Sequence, residues 1–251
     1  PAELSRGKAE SVKHQVPPHH GVAVARADGS LVTTVGTEEA RTGIAILGPD
    51  NAVVASNDQC PGVHGEAIAA EGTLSFGCQD GILIVQGNEI RKVTSPDPYG
   101  RIGNQAGSEV SPVVLGDYKV DKDAELERPT RISLTNTGTG ELRLVDLGTS
   151  YSFRSLARGP QGEALVLGTD GDIHVIDPAS GTEIKRIEAV ADWTEPTEWQ
   201  DPRPTIFVMD STAYVTDPAN NKILAVDLGT GDITAESTFS AAPNELTGVT
   251  G

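Results

Sequence analysis

Ile173-His174-Val175-Ile176-Asp177-Pro178-Ala179-Ser180-Gly181 returns 50 positions later as Ile223-Leu224-Ala225-Val226-Asp227-Leu228-Gly229-Thr230-Gly231. A third version, Leu142-Arg143-Leu144-Val145-Asp146-Leu147-Gly148, lies upstream. Each is an apolar run with the two-residue period of a strand. Each ends on aspartate, which caps a turn with its own carboxylate, and then reaches a glycine that supplies positive φ. In all three the pattern reads as a third strand ending in Asp before a turn, so one strand-and-turn unit repeats along the chain.

Similar turn chemistry punctuates the rest. Ala27-Asp28-Gly29-Ser30, Gly48-Pro49-Asp50-Asn51, Gln79-Asp80-Gly81 and Asp217-Pro218-Ala219-Asn220 separate short β-branched runs, and no stretch carries a convincing helical period. Grouped by these turns, the runs fall into sets of four over Gly21–Ser56, Gly65–Val93, Arg101–Leu147, Ser152–Ala189 and Pro204–Phe239. A polar insertion, Lys119–Pro129, interrupts the third set. Repeats of about 40–50 residues, each of four antiparallel strands, are the mark of β-propeller blades. The chain is therefore expected to be all-β, a single propeller domain over 1–251 with about five blades. Two further strands, Ser11–Gln15 and Glu245–Thr250, are left over. They suggest a larger ring of seven or eight blades, with N-terminal blades beyond this chain; the alternative is a compact five- or six-bladed ring in which residues 1–16 and 245–250 pair together. A two-sheet sandwich would not explain the four-strand period.

Composition narrows the function. Aromatic residues are only 4% of 251, so the core must come from Val, Ile, Leu and Ala. A net charge of −17 opposes binding to nucleic acid or anionic lipid, both of which require a basic face. No run of 18 apolar residues is present, and nothing is expected to span a membrane. Nucleophile elbow, metalloprotease helix, phosphate loop and dinucleotide fingerprint are all missing, and no carboxylate pair stands out. The chain does not read as an enzyme.

Gln59–Asp80 gathers the residues with chemistry: Cys60, Cys78 and His64. A hairpin through Glu71-Gly72 would bring Cys78 beside the segment holding Cys60. A disulfide, and hence an oxidising compartment, is the favoured reading over two free buried thiols. His64-Gly65 has a counterpart 44 positions upstream in His20-Gly21. Both pairs stand at the entry to the first strand of a set, and the two imidazoles are expected to converge within about 10 Å at the mouth of the propeller. Neutral imidazole suits Zn²⁺, with His19 or Glu66 as further donors. By spacing alone, such His-Gly pairs are more often hydrogen-bonded turn residues. His174, in an alternating strand, reads as a surface or interblade side chain. Trp193–Pro204 holds both tryptophans and reads equally as a docking lid or a rigid cover.

Pro18-His19-His20-Gly21-Val22-Ala23-Val24, Cys60-Pro61-Gly62-Val63-His64-Gly65-Glu66-Ala67 and Phe76-Gly77-Cys78-Gln79-Asp80-Gly81, with Asp201-Pro202-Arg203-Pro204 and Pro243-Asn244, resemble AztD-type zinc metallochaperones. These are extracytoplasmic β-propellers that hand zinc to the solute-binding protein of an ABC importer. The resemblance runs along the chain in order and places it in the C-terminal two thirds of the family's length. It implies His20 and His64 as zinc ligands, His19 less securely, a Cys60–Cys78 disulfide, and a periplasmic or secreted monomer. It also places the family's His-rich loop upstream of this chain, and Gly107-Ser108-Glu109-Val110 stands where some relatives carry histidines. The alternative is a metal-free propeller at the cell surface, serving as a protein-interaction platform through the Trp193–Pro204 segment.

Overall fold

Asp177 and Asp227 each close the bend between the third and fourth strands of a four-stranded antiparallel sheet. The computed structural model describes residues 16–248 and contains five such sheets. The first is β1 (Ala23–Ala25), β2 (Leu31–Gly36), β3 (Arg41–Leu47) and β4 (Val53–Asn57). The second is β5 (His64–Ile68), β6 (Leu74–Cys78), β7 (Asp80–Gln86) and β8 (Glu89–Thr94), with the short β9 (Gly100–Arg101) added parallel to β7. The third is β10 (Gln105–Ser108), β11 (Ser111–Asp117), β12 (Arg131–Asn136) and β13 (Leu142–Asp146). The fourth is β14 (Tyr151–Arg158), β15 (Ala164–Gly168), β16 (Asp172–Ile176) and β17 (Glu183–Glu188). The fifth is β18 (Ile206–Met209), β19 (Thr212–Asp217), β20 (Lys222–Asp227) and β21 (Ile233–Thr238).

The repeated turn has one mechanism in two of its copies. The Gly181 amide donates to Asp177 O at 2.8 Å and the Gly231 amide to Asp227 O at 2.7 Å. The carboxylates meanwhile accept from the Ser180 and Thr230 amides. The third copy departs from expectation. Asp146 ends a fourth strand, and the equivalent bend in the third sheet is Asn136–Gly140, where Gly140 N donates to Asn136 O at 2.8 Å. Asparagine caps as aspartate does, and the Gly138 and Thr139 amides both donate to Asn136 Oδ1.

First strands of successive sheets lie together, β5 on β10, β10 on β14 and β14 on β18. Between each pair of consecutive sheets is one aliphatic core. Ile44 and Ile46 meet Phe76 and Leu83; Ile82 and Ile84 meet Ile102 and Val114. Leu115 and Leu134 meet Val166 and Ile176; Leu165 and Leu167 meet Val215 and Val226. This is the propeller arrangement, with sheets packed face to face around a common inner edge. Among the described residues, no such core joins the fifth sheet to the first.

The start of the third set also differs from its expected Arg101. Gly100–Arg101 leaves to pair with the second sheet, and the third sheet begins at Gln105. Ile102–Asn104 crosses between the two sheets, the Ile102 amide donating to Cys78 O at 3.0 Å. No strand forms over 245–248 of the expected Glu245–Thr250; the remainder of that run, and Ser11–Gln15, lie outside the described residues. In the Lys119–Pro129 insertion, Glu127 accepts the Val120 and Asp121 amides.

Buried polar groups lock adjacent sheets. Tyr151, 1% exposed, donates its hydroxyl to Arg131 O at 2.6 Å and accepts the Tyr118 amide at 3.0 Å. Burial pushes this phenol well up from its ordinary value. Arg158 of β14 donates to Val113 O at 2.6 Å and Ala106 O at 3.2 Å in the third sheet. Burial brings its pKa down to about 10, still high enough to keep it charged at neutral pH. The Trp193–Pro204 segment is anchored at Trp193, Glu195 and Arg203. Trp193 Nε1 donates to Gly168 O at 2.8 Å, and Glu195 pairs with Arg203 at 2.9 Å, both nearly inaccessible to solvent. Trp199, by contrast, is 64% exposed.

Cys60 and Cys78 form a disulfide between the loop before β5 and the end of β6, as expected. Both are buried. Replacing the pair by serine is expected to cost roughly 3 kcal/mol, the loop-closure entropy of a bridge of this span. Urea unfolding of the double variant measures it. Tyr151→Phe should lower stability by about 1–3 kcal/mol in the same assay, because it removes the partner of the buried Tyr118 amide and of the part-buried Arg131 carbonyl.

Candidate functional site

His64 opens β5, and its place depends on what stands beside it. Gly65 adopts φ +71°, and a Cβ there would lie 2.3 Å from Gly103 O. Across the β5–β6 ladder His64 faces Gly77, where a Cβ would come within 1.8 Å of Ile102 O. The glycine that follows the histidine therefore has a steric reason: it lets the crossing segment Ile102–Asn104 run against the end of the second sheet.

That approach puts Gly103 O 3.0 Å from His64 Nδ1. A carbonyl only accepts, so Nδ1 carries the proton and donates. In the neutral ring the lone pair is then on Nε2. Burial is the main influence on this imidazole and lowers its pKa. The Gly103 contact works in the other direction, while the charges of Arg101 and Arg41, and His20, add to the lowering. A histidine held in this way is neutral at neutral pH and presents one donor nitrogen.

His20 lies on the segment leading into β1 and is exposed. Its ring stacks on that of His64, centroids 5.3 Å apart and planes 18° from parallel. Arg41 Nη1 donates to His20 O at 3.2 Å. Both imidazoles line an open cleft of about 750 Å³, together with Glu38, Glu39, Asp58 and Arg101. The cleft is formed where the entry ends of the first two sheets meet, its wall completed by the β2–β3 bend and the loop carrying Cys60.

His19 is not brought to this pair. Its Nδ1 donates to Pro17 O at 2.7 Å, leaving Nε2 to accept the Thr34 hydroxyl at 2.9 Å. Gly21 makes room for that contact, since a Cβ there would sit 2.2 Å from Thr34 Oγ1. His174, read as a surface or interblade residue, is fully buried. Its ring nitrogens face Glu183 Oε2 at 2.6 Å and Asp170 Oδ2 at 3.1 Å, and Glu183 in turn pairs with Arg186.

Two imidazole nitrogens and nearby carboxylates are a donor set that zinc accepts, although four ligands are its usual number. Among the described residues, no three metal-binding side chains are already clustered. Arg41, Arg101 and Gly103 belong to the site and were not singled out as candidates by sequence. Gly100-Arg101-Ile102-Gly103 carries no recognisable motif, and its role comes from where it crosses.

No protein-family model matches the chain. The zinc chaperone AztD of Citrobacter koseri is 27% identical over 246 residues, which cover 94% of this chain and 56% of the relative. The structure of apo AztD from that organism superposes with a TM-score of 0.82 at 27% identity, over 97% of this chain and 66% of that one. A further crystal structure of the same protein gives 0.81. The computationally designed protein Ika8 is 12% identical with a TM-score of 0.63 over 93% of this chain, a likeness of fold alone. The chain thus spans between about half and two thirds of the length of its AztD relatives. In sequence and in fold it is similar to the zinc chaperone AztD along nearly its whole length, as the motifs around His20, Cys60, His64 and Cys78 implied.

Proposed function

We propose that this chain is part of an extracytoplasmic zinc metallochaperone that carries Zn²⁺ as cargo on His20 and His64. Delivery to the solute-binding protein of an ABC importer follows from the same reading. One observation carries it: two stacked imidazoles in an open cleft, one of them fixed as a neutral ring with its Nε2 unpartnered among the described residues. The likeness to a zinc chaperone supports the choice of metal. Further blades against the open faces of the first and fifth sheets would complete the ring.

Two histidines leave zinc short of its usual four ligands. The remaining positions fall to water, to Glu38, Glu39 or Asp58 at the cleft wall, or to donors of the receiving protein. Such a site exchanges ligands readily, whereas a closed cysteine cage retains its metal. His19 is left outside the ligand set, because both of its nitrogens already have partners. Arg41 and Arg101 place positive charge near the metal and favour release. The disulfide fits an oxidising compartment. No step in this function is catalytic.

A second reading, a metal-free interaction platform, has exposed Trp199 on the otherwise anchored Trp193–Pro204 cover as its observation. Zinc titration of His64→Ala and of His20→Ala against a chromophoric chelator separates the two. Each variant is expected to lose affinity by more than the roughly 10- to 100-fold that disturbing a supporting residue costs. Unchanged affinity in both would overturn the carrier reading. Arg101→Gln is expected to raise affinity severalfold and to slow zinc transfer to the chelator, followed by stopped flow.

A further inference from the structure

Asp117 is a carboxylate at the end of β11, only 1% exposed, and none of the functional reading above uses it. Burying a charge is costly unless hydrogen bonds satisfy it. Here Oδ1 accepts the Gly103 amide at 2.6 Å and the Asn104 amide at 3.0 Å, and Oδ2 accepts Asn104 Nδ2 at 3.1 Å. The Asp117 amide returns to Asn104 O at 3.0 Å. All of this carboxylate's bonds go to the segment that crosses from the second sheet to the third.

The Asn104 N–H and the Gly103 C=O belong to one peptide unit. Its N–H end donates to Asp117, and its C=O end accepts from His64 Nδ1. Resting on the reading of His64 as a zinc ligand, we propose that Asp117 is its positioning residue, acting through this single peptide. The negative charge at the N–H end polarises the unit and makes Gly103 O a stronger acceptor, since bonds in such a chain reinforce one another. The Nδ1–H tautomer is fixed, the ring is oriented, and the lone pair is kept on Nε2. Metal-binding histidines commonly give their other N–H to a carboxylate or a carbonyl. In this chain the two are joined in series.

Close packing keeps the relay short. Gly65 admits Gly103 O beside His64, as described above. A Cβ on Gly103 would lie 2.3 Å from the Arg101 guanidinium, and one on Gly116, the neighbour of Asp117, 2.6 Å from Ile102 Cγ2. The crossing segment therefore packs closely against the third sheet, with no room for a side chain at Gly116. A purely structural Asp117, one that only caps the crossing, would not control which nitrogen of His64 is protonated.

The test is long-range proton–nitrogen correlation NMR on the metal-free protein at about pH 8, where imidazole is neutral, with zinc titration alongside. In the wild-type chain His64 is expected as the Nδ1–H tautomer. An Nε2–H ring would overturn the proposal without need of any variant. In Asp117→Asn the two tautomers should mix and zinc affinity should fall about 10- to 100-fold, with far-ultraviolet circular dichroism unchanged. A folded Asp117→Asn with the wild-type tautomer and affinity would also overturn it. A tautomer change with no effect on zinc supports the relay and counts against His64 as ligand, so the two readings fail separately. Asp117→Ser, which keeps one acceptor and removes the charge, is expected to give the same mixing if Asp117→Asn does not fold.

Discussion

Aliphatic packing between neighbouring sheets is the constraint on which everything else here depends. With aromatics at 4% of the sequence, the four cores are built mainly from Val, Ile and Leu, each worth about 1.5–3 kcal/mol when fully buried. An antiparallel sheet with apolar side chains on both faces needs a partner on each side. Consecutive sheets supply it, and this forces first strands to gather along one edge. The candidate site lies outside these cores, at strand entries, a bend and the crossing from one sheet to the next.

The crossing over Ile102–Asn104 joins packing to chemistry. Ile102 belongs to the core between the second and third sheets and is 1% exposed. Its two followers turn their amides to Asp117 and a carbonyl to His64. An apolar side chain and a buried carboxylate thus anchor this short segment between the second and third sheets. Glycines 65 and 77 are required at the points of closest approach, where a Cβ would come within 1.8–2.3 Å of a backbone oxygen of this segment. His64 is thus held by backbone from a neighbouring sheet as much as by its own strand.

Much of the fold was legible because turn chemistry is local. Asp177, Asp227 and their glycines announce a bend within a few residues of themselves. The third sheet was read less well for the same reason: its bend uses Asn136, while Asp146 closes a different strand. His20 and His64 could be paired from sequence because similar places in a repeat come together in neighbouring sheets, although His64 opens β5 and His20 precedes β1 by three residues. His19 carries the same residue type one position away, and only Pro17 O and the Thr34 hydroxyl reveal that it is occupied. Asp117 was beyond reach. Its link to His64 passes through residues 13 and 14 positions before it and depends on strand register, which no pattern of types encodes. Trp193 and Trp199 likewise share a segment but not an environment: the Trp193 indole donates to Gly168 O, whereas Trp199 stands in solvent.

Net charge gives a misleading picture of the cleft. A total of −17 would draw any cation, but at physiological salt fields between exposed charges fade over about 8 Å. What a metal meets at His20 and His64 is set by the cleft wall, where Glu38, Glu39 and Asp58 are opposed by Arg41 and Arg101. The local balance is therefore close to neutral on an otherwise acidic surface. In the carrier reading that contrast separates two demands. Distant acidic groups raise the concentration of cations near the protein, while the arginines beside the imidazoles keep the final grip weak. A site fully lined with carboxylates would capture zinc as well, but would lack the repulsion that lets a better-equipped partner take it.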